Sequence, residues 1–457
     1  MNERRQAGVS QLSRRGFLQV SAAGVAGVTA GSLLSGCAPV APGAAPAVVS
    51  SEPVTIKVMS WWWVEKGSDV ALRNLVEKFE AAYPEIKVEE VSFPSNIYED
   101  AQYSQMAAGK LDADVMHTLE GTGIKLIEGG FLEPLNDVGR SAGIWEYDAI
   151  TKIPPWFWSD RATFDDPPDD SGDLYVLMFN TAQDGLIYNM DIIEAAGASL
   201  PETQDEAYEL AKDLTDRPNQ FGWANRHTVP EKVGFFRDMI PWLLGYGGVY
   251  AEGQMPTVNT DAMINTLAHW RRMYLDCFPQ GSDAATFRRM IAEGKVALYT
   301  DNNALPPNFF NMNPDSENFI RSAPLPWPNR KGASFPSYWT WPADSPPEKK
   351  EAARTFLEFW ATPDNFKEMT WARRDPPMIP QANTPEYLDS LPWMSGFATT
   401  DAVPWLFVMG DYQGHVEEFR TIVVEHASEV VVGTISPEEG AQRAQQGLEV
   451  LADQLFG

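Results

Sequence analysis

The sequence predicts an α/β fold with a mainly parallel sheet covered by helices, and three observations carry that expectation. Segments of strand and helix periodicity alternate from residue 54 onward. Later helices announce their starts with capping patterns. A chain of 457 residues with 44% hydrophobic and 12% aromatic content can also bury more than one core, so two domains are expected.

The first element is a strand, because Val54, Ile56 and Val58 alternate. It leads through VTIKVMSWWWVEKG (54–67) into three consecutive tryptophans. An extended continuation would turn Trp61 and Trp63 to one side and Trp62 to the other. Leu72, Leu75, Val76 and Phe79 then recur at helical spacing until Pro84. IKVEEV (86–91) reads as a second strand, NIYEDAQYSQMAAG as a helix closed by Gly109, and DADVM (112–116) as a third strand. Thr203 with Glu206 forms a capping box ahead of Ala207, Leu210, Ala211 and Leu214. Ser345, Pro346 and Glu348 begin a helix with Ala353, Phe356, Leu357 and Trp360 on one face. Ser436, Pro437 and Glu439 begin the last, which carries Ala441, Leu448, Leu451 and Leu455. FDDPPDDSGD (164–173) is an acidic, proline-broken insertion. Its carboxylate spacing matches no calcium-loop signature, so a solvated loop is expected, with a calcium site as the alternative.

The N-terminal region reads as an address. SRRGFLQ (13–19) sets Arg14 and Arg15 before VSAAGVAGVTAGSLL, a run too short and too rich in Ala and Gly to span a bilayer stably. The run ends in LSGC (34–37), which resembles a lipobox whose Cys37 becomes the lipidated first residue of the mature chain. Residues 1–36 are therefore expected to be a twin-arginine lipoprotein signal peptide, and the Pro/Ala/Gly/Ser-rich residues 37–53 a flexible tether. One acyl chain binds a membrane only marginally, so stable anchoring calls for more than one. With Cys37 lipidated, only Cys277 remains and no intrachain disulfide is possible. Removing the four arginines and one glutamate of the leader takes the formal net charge from −28 to −31. So negative a field disfavours nucleic acid and polyanionic ligands.

A resemblance emerges from the order of several segments. FEAAYPEIKVEEV, MAAGKLDADVM and GGFLEPLND follow one another as they do in extracellular solute-binding proteins of the maltose-binding type. LIYNMDIIEAAGASLPETQDEAYELAKDLT (186–215), MIAEGKVALYTDNN and KKEAARTFLEFW continue the match in order. The resemblance, which covers essentially all of 54–457, implies the two-lobe, type II periplasmic-binding-protein fold with three hinge crossings. Crossings are expected near Asn180–Asp184, Thr300–Asn303 and Tyr338–Trp341, giving one lobe from 54–181 and 303–340 and a second from 182–302 and 341–457. It further implies a monomeric receptor on the outer face of the cytoplasmic membrane, delivering a solute to the membrane-embedded permease subunits of an ABC importer. No cofactor or metal is implied.

Ligands of open α/β sheets lie outside the C-terminal ends of strands, which is where Trp61, Trp62 and Trp63 fall. An indole face suits the C–H face of a pyranose and also a cation. At the third crossing Tyr338, Trp339 and Trp341 offer further aromatic surface, with at least one indole expected at the cleft. Trp270 and Trp360 lie on helical apolar stripes and belong to the core, while Trp156 and Trp158 could line the cleft or the insertion. His117 and Glu120 follow the third strand and are placed for hydroxyl recognition, although Glu120 equally suits a helix N-terminus. Asn180, Asp184, Asp301, Asn302 and Asn303 stand at the first two crossings, and Arg237, Asp238 and Arg373 are candidates from the second lobe.

Catalytic signatures are missing. The five histidines, His117, His227, His269, His415 and His426, show no metal-binding spacing, and there is no nucleophile elbow, phosphate loop or dinucleotide fingerprint. The expectation is a non-enzymatic, lipid-anchored receptor for a di- or oligosaccharide. A receptor for a cation such as a polyamine and an exported carbohydrate-active enzyme are the alternatives; the latter needs only two carboxylates.

Overall fold

The computed structural model describes residues 52–65, 67–141 and 172–457. Arg14, Arg15, Cys37, most of the tether, Trp156, Trp158 and residues 164–171 of the acidic insertion lie outside them. The first strand, β1 (Val54–Met59), buries Ile56 and Val58 completely. It does not continue through the tryptophans. Ser60, itself extended, accepts the amide of Trp62 on its Oγ at 3.0 Å and caps a 3-10 turn over Trp61–Trp63. At three residues per turn the indoles splay in three directions, so the expected two-sided alternation is replaced: Trp62 and Trp63 are buried and Trp61 is half-buried.

The helix Ser68–Ala82 buries Leu72, Leu75 and Phe79 and stops before Pro84. β2 (Ile86–Val91) follows, then the helix Ser95–Ala107, closed by Gly109 at φ +72°. β3 (Val115–Thr118) begins three residues later than expected and includes His117. The shift has a cause in Asp114, whose carboxylate accepts the Lys57 amide of β1 at 2.9 Å while its own amide bonds the Lys57 carbonyl. A side chain there does the work of a ladder carbonyl. Thr203 caps the helix Gln204–Asp213 as expected, but Glu206 reaches back to the amide of Glu202. Ser436 caps Pro437–Phe456. Ser345 does not cap the helix Pro347–Trp360; its hydroxyl donates to Asp114 instead.

The remaining strands are β4 (Leu177–Asn189), β5 (Phe221–Ala224), β6 (Ala251–Glu252), β7 (Met255–Pro256), β8 (Val296–Asn302), β9 (Ile320–Ala323), β10 (Lys331–Thr340) and β11 (Asp401–Pro404). Nine strands share one sheet in the order β2-β1-β3-β10-β4-β8-β5, with β11 against β10 and β9 against β4. The sheet is mixed rather than mainly parallel. Its two outer parts are parallel, β2-β1-β3 on one side and β8-β5 on the other. Between them β10 and β4 run antiparallel to each other, β10 antiparallel to β3, and β4 antiparallel to β8. β4 changes partner along its length: Leu177–Gln183 pair with β10, and Asp184–Tyr188 with β8. A bulge between Ser337 and Tyr338 marks the corresponding irregularity on β10.

Trp270 and Trp360 are core residues, each 1% exposed, as their helical stripes predict. Among the described residues no helix is long and apolar enough to cross a membrane. His269 sits beside Trp270, fully enclosed, and burial followed by the nearby Arg272 guanidinium lowers its pKa to about 3. The unfolded chain, with an ordinary imidazole, binds the proton first as pH falls below about 6.5, so stability is full above that value and declines toward pH 3. This single group should remove about 2 kcal/mol between pH 7 and pH 5. Denaturant melts of His269→Gln, which carries no such proton, should show a correspondingly flatter pH dependence over that range.

Candidate functional site

Parallel pairing sets the C-terminal ends of β1 and β3 side by side, with Val58 opposite Val115 and Met59 opposite Met116. The residues just beyond therefore meet. Trp61 stacks on His117, ring centroids 3.5 Å apart at 25°, with Tyr98 edge-on to the indole at 5.0 Å. Behind them Trp62, Phe179, Trp339 and Trp360 form a nest of perpendicular and stacked rings, Phe179 lying on Trp339 at 4.7 Å. His117 is fully buried and shares a hydrogen bond of 3.0 Å between Nδ1 and Ser60 Oγ. Burial, then the Arg373 guanidinium, holds its pKa well below the usual imidazole range, so it is a neutral backing for Trp61.

Arg373 arrives from the end of the helix Pro363–Arg373. Its guanidinium lies 3.4 Å from the centroid of the Trp62 ring, donates to Asp375 at 2.9 Å and to Ser68, and approaches Glu65 at 3.7 Å. Asp375 in turn is hydrogen-bonded by Asn180 of β4. Trp62, Glu65, Ser68, Asn180, Arg373 and Asp375, from three separate parts of the chain, thus converge beyond β1 and β3.

A second cluster occupies the C-terminal ends of the other parallel pair, β5 and β8. Arg226, two residues past the end of β5, donates from its amide and Nε to Asp238 Oδ2 at 2.9 and 3.0 Å and from Nη2 to Asp238 Oδ1 and to Asp301 Oδ2, the latter at 2.9 Å. Asp301 near the end of β8 also receives Arg288 at 3.1 Å, the Tyr299 hydroxyl, and the Asn302 amide at 2.8 Å. Burial alone would raise the Asp301 pKa, but Arg226, Arg288 and these hydrogen bonds outweigh it and hold the carboxyl below its ordinary value. Asp184 of β4 is different: burial pushes its pKa well up, although the Ala333 amide donates to its carboxyl oxygen Oδ2 at 2.9 Å. Arg237 lies over Phe335 and Trp405 at 4.8 and 5.3 Å.

The sequence candidates divide accordingly. Trp61, Trp62, His117, Asn180 and Arg373 come together at the first edge. Asp184, Arg237, Asp238, Asp301 and Asn302 lie at or beside the second. Asn303 is consumed in exchanging hydrogen bonds with Gln183 of β4. Tyr338, Trp339 and Trp341 are all buried, Trp341 donating to the Glu133 carbonyl, so the expected cleft-facing indole of this group is not realised. Trp63 likewise turns into the core and donates to the Val58 carbonyl at 2.8 Å. Glu120 opens the helix Glu120–Glu128, and its side chain lies outside what is described. Arg226, Arg288, Tyr299, Phe335, Asp375 and Trp405 join the two clusters without belonging to the candidates that the sequence offers. Arg226 carried a usable signal, since it stands just past the short strand FGWA; the others did not. Among the described residues no group of three or more His, Cys, Asp or Glu is arranged to hold a metal ion.

Residues 74–394 match the model of a family described as bacterial extracellular solute-binding protein. The chain is 25% identical over 331 residues to the melibiose/raffinose/stachyose-binding protein MelE of Bacillus subtilis (strain 168), covering 66% of this chain and 68% of the relative. Its fold is similar to maltose-bound MalE3 of T. maritima, with a TM-score of 0.72 at 18% identity over 87% of this chain and 100% of that one. It is also similar to UgpB from Mycobacterium tuberculosis in complex with glycerophosphocholine, with a TM-score of 0.70 at 18% identity over 89% and 100%. At such identities the likeness is one of fold, the two-lobe type II arrangement expected from the sequence.

Proposed function

The chain belongs to the bacterial extracellular solute-binding protein family, and on that premise we propose that it is a lipid-anchored receptor of an ABC importer, binding a di- or oligosaccharide in a cleft between two lobes. The carrying observation is the placement of the two clusters at the C-terminal edges of the parallel pairs β1/β3 and β5/β8, joined by β4 and β10. Asn180 and Asp184, which mark the two clusters on β4, are four residues apart, about 13 Å along an extended strand. In this reading each edge belongs to one of two lobes, the helices Pro347–Trp360 and Pro363–Arg373 going with the first edge rather than with a second lobe of 182–302 and 341–457, and solute draws the two edges together by hinge motion.

Trp61 is the stacking platform. One of its faces rests on neutral His117 and the indole remains half-buried rather than enclosed. Hydroxyls would then be met by Asn180, Asn302 and the carboxylates at either edge. The MelE relative's named ligands are neutral galactosides, which agrees with a site of indole, amide and neutralised carboxylate. Lipidation at Cys37 would keep this receptor on the outer membrane face beside the permease subunits.

A thermal-shift screen with maltose, melibiose and raffinose tests the proposal, since a bound ligand raises the melting temperature by mass action. At least one should raise it, chromatography should recover the sugar intact, and Trp61→Ala should weaken binding about tenfold, the equivalent of one lost aromatic stack. Hydrolysis of the sugar, or a Trp61→Ala protein that binds as wild type does, would contradict the reading.

A further inference from the structure

We propose, resting on the receptor reading above, that Arg373 is a specificity-determining residue: it offers an open pair of N–H donors to a neutral, oxygen-rich solute and bars cations from the Trp62 face. A bare indole face attracts a cation. Here that position is already filled, because the guanidinium lies 3.4 Å from the Trp62 ring centroid. A cationic solute arriving at the same place would meet a like charge.

The donors of Arg373 are unevenly used. Nε is committed to Asp375 and Nη1 to Ser68, with Glu65 3.7 Å away. Nη2 makes no hydrogen bond among the described residues, although the side chain is only 10% exposed. A guanidinium has a planar fork of five donors, and the two contacts above fix the plane in which the unused pair projects. The group is therefore preorganised for an acceptor before solute arrives. The acceptor need not be charged. A hydroxyl oxygen can accept from these donors without bringing a charge of its own. The link from Asp375 to Asn180 places the same fork beside β4, where the first cluster's amide stands.

The test titrates the full mature chain with raffinose, maltose and spermidine, in wild type, Arg373→Gln and Arg373→Lys. Wild type should bind at least one of the sugars and not spermidine. Arg373→Gln should weaken the sugar at least tenfold and bring spermidine into the measurable range, so the ratio of the two affinities falls. A merely structural arginine would weaken the sugar and leave spermidine unbound. Arg373→Lys keeps the charge without the fork, and should still exclude spermidine while recovering only part of the sugar affinity. The proposal is overturned if wild type binds spermidine, or if Arg373→Gln melts and binds as wild type does. Should Arg373→Gln fail to fold, an Arg373→Lys protein with full sugar affinity overturns it equally. Failure of wild type to bind either sugar would instead remove the receptor reading on which it rests.

Discussion

Trp63→Ala is expected to destabilise the protein by about 3–5 kcal/mol, the usual cost of emptying a large aromatic site in a packed core. The indole is 2% exposed and donates to the carbonyl of Val58, five residues back on β1. Its own carbonyl accepts Arg73 Nη2 at 2.9 Å, which ties the turn to the first helix. Removing the ring leaves a cavity under the turn that positions Trp61 and Trp62, so loss of solute binding should accompany loss of stability. Trp63→Phe should recover most of the packing and lack only the ring N–H bond, a deficit of about 1 kcal/mol or somewhat more. Urea melts check both. A Trp63→Ala protein with an unchanged midpoint and abolished binding would make Trp63 a ligand contact rather than a core residue.

The second large effect is expected from Arg226→Met, which keeps volume but removes the cation shared by Asp238 and Asp301. Breaking a buried pair by deleting one partner costs about 3–5 kcal/mol, because the remaining charge stays buried without compensation. Both carboxylates are enclosed, at 4% and 5% exposure, and Arg288 remains to serve only Asp301. The pH dependence should identify the cause. In wild type Asp301 is held below its ordinary pKa, so its contribution is present at neutral pH and lost as acid protonates it. Without Arg226 the carboxylates favour their protonated forms, so the deficit of the variant relative to wild type should shrink on acidification toward pH 4. Melting curves at several pH values separate this from simple loss of packing, which would give a constant deficit.

Strand and helix periodicities located β1, β2, the first helices and the capped helices at 203 and 436 because those signals are local. The 3-10 turn of the tryptophan run is not legible in WWW itself, which suits a strand equally; the decision rests with the Ser60 hydroxyl that precedes it. The mixed character of the sheet was hidden for a different reason. β4 and β10 are separated by more than a hundred residues, and their antiparallel pairing is a tertiary fact. At the site, Trp61, His117 and Arg373 were legible as residue types suited to recognition. That Arg373 covers Trp62, and that Arg226 and Arg288 converge on Asp301, follows only from contacts between remote segments. The second cluster's arginines, at 226 and 288, stand far from Asp301 or on another element, so only the fold pairs them with it.

Titration calorimetry at low and high salt, using the oligosaccharide that gives the largest thermal shift, tests the central claim most directly. A neutral sugar carries no charge for salt to screen. Binding should be saturable and one-to-one, with nearly the same affinity at both salt concentrations and the sugar recovered intact. An affinity that collapses as salt rises would mean that Coulomb attraction holds the ligand, and would contradict a receptor for a neutral carbohydrate.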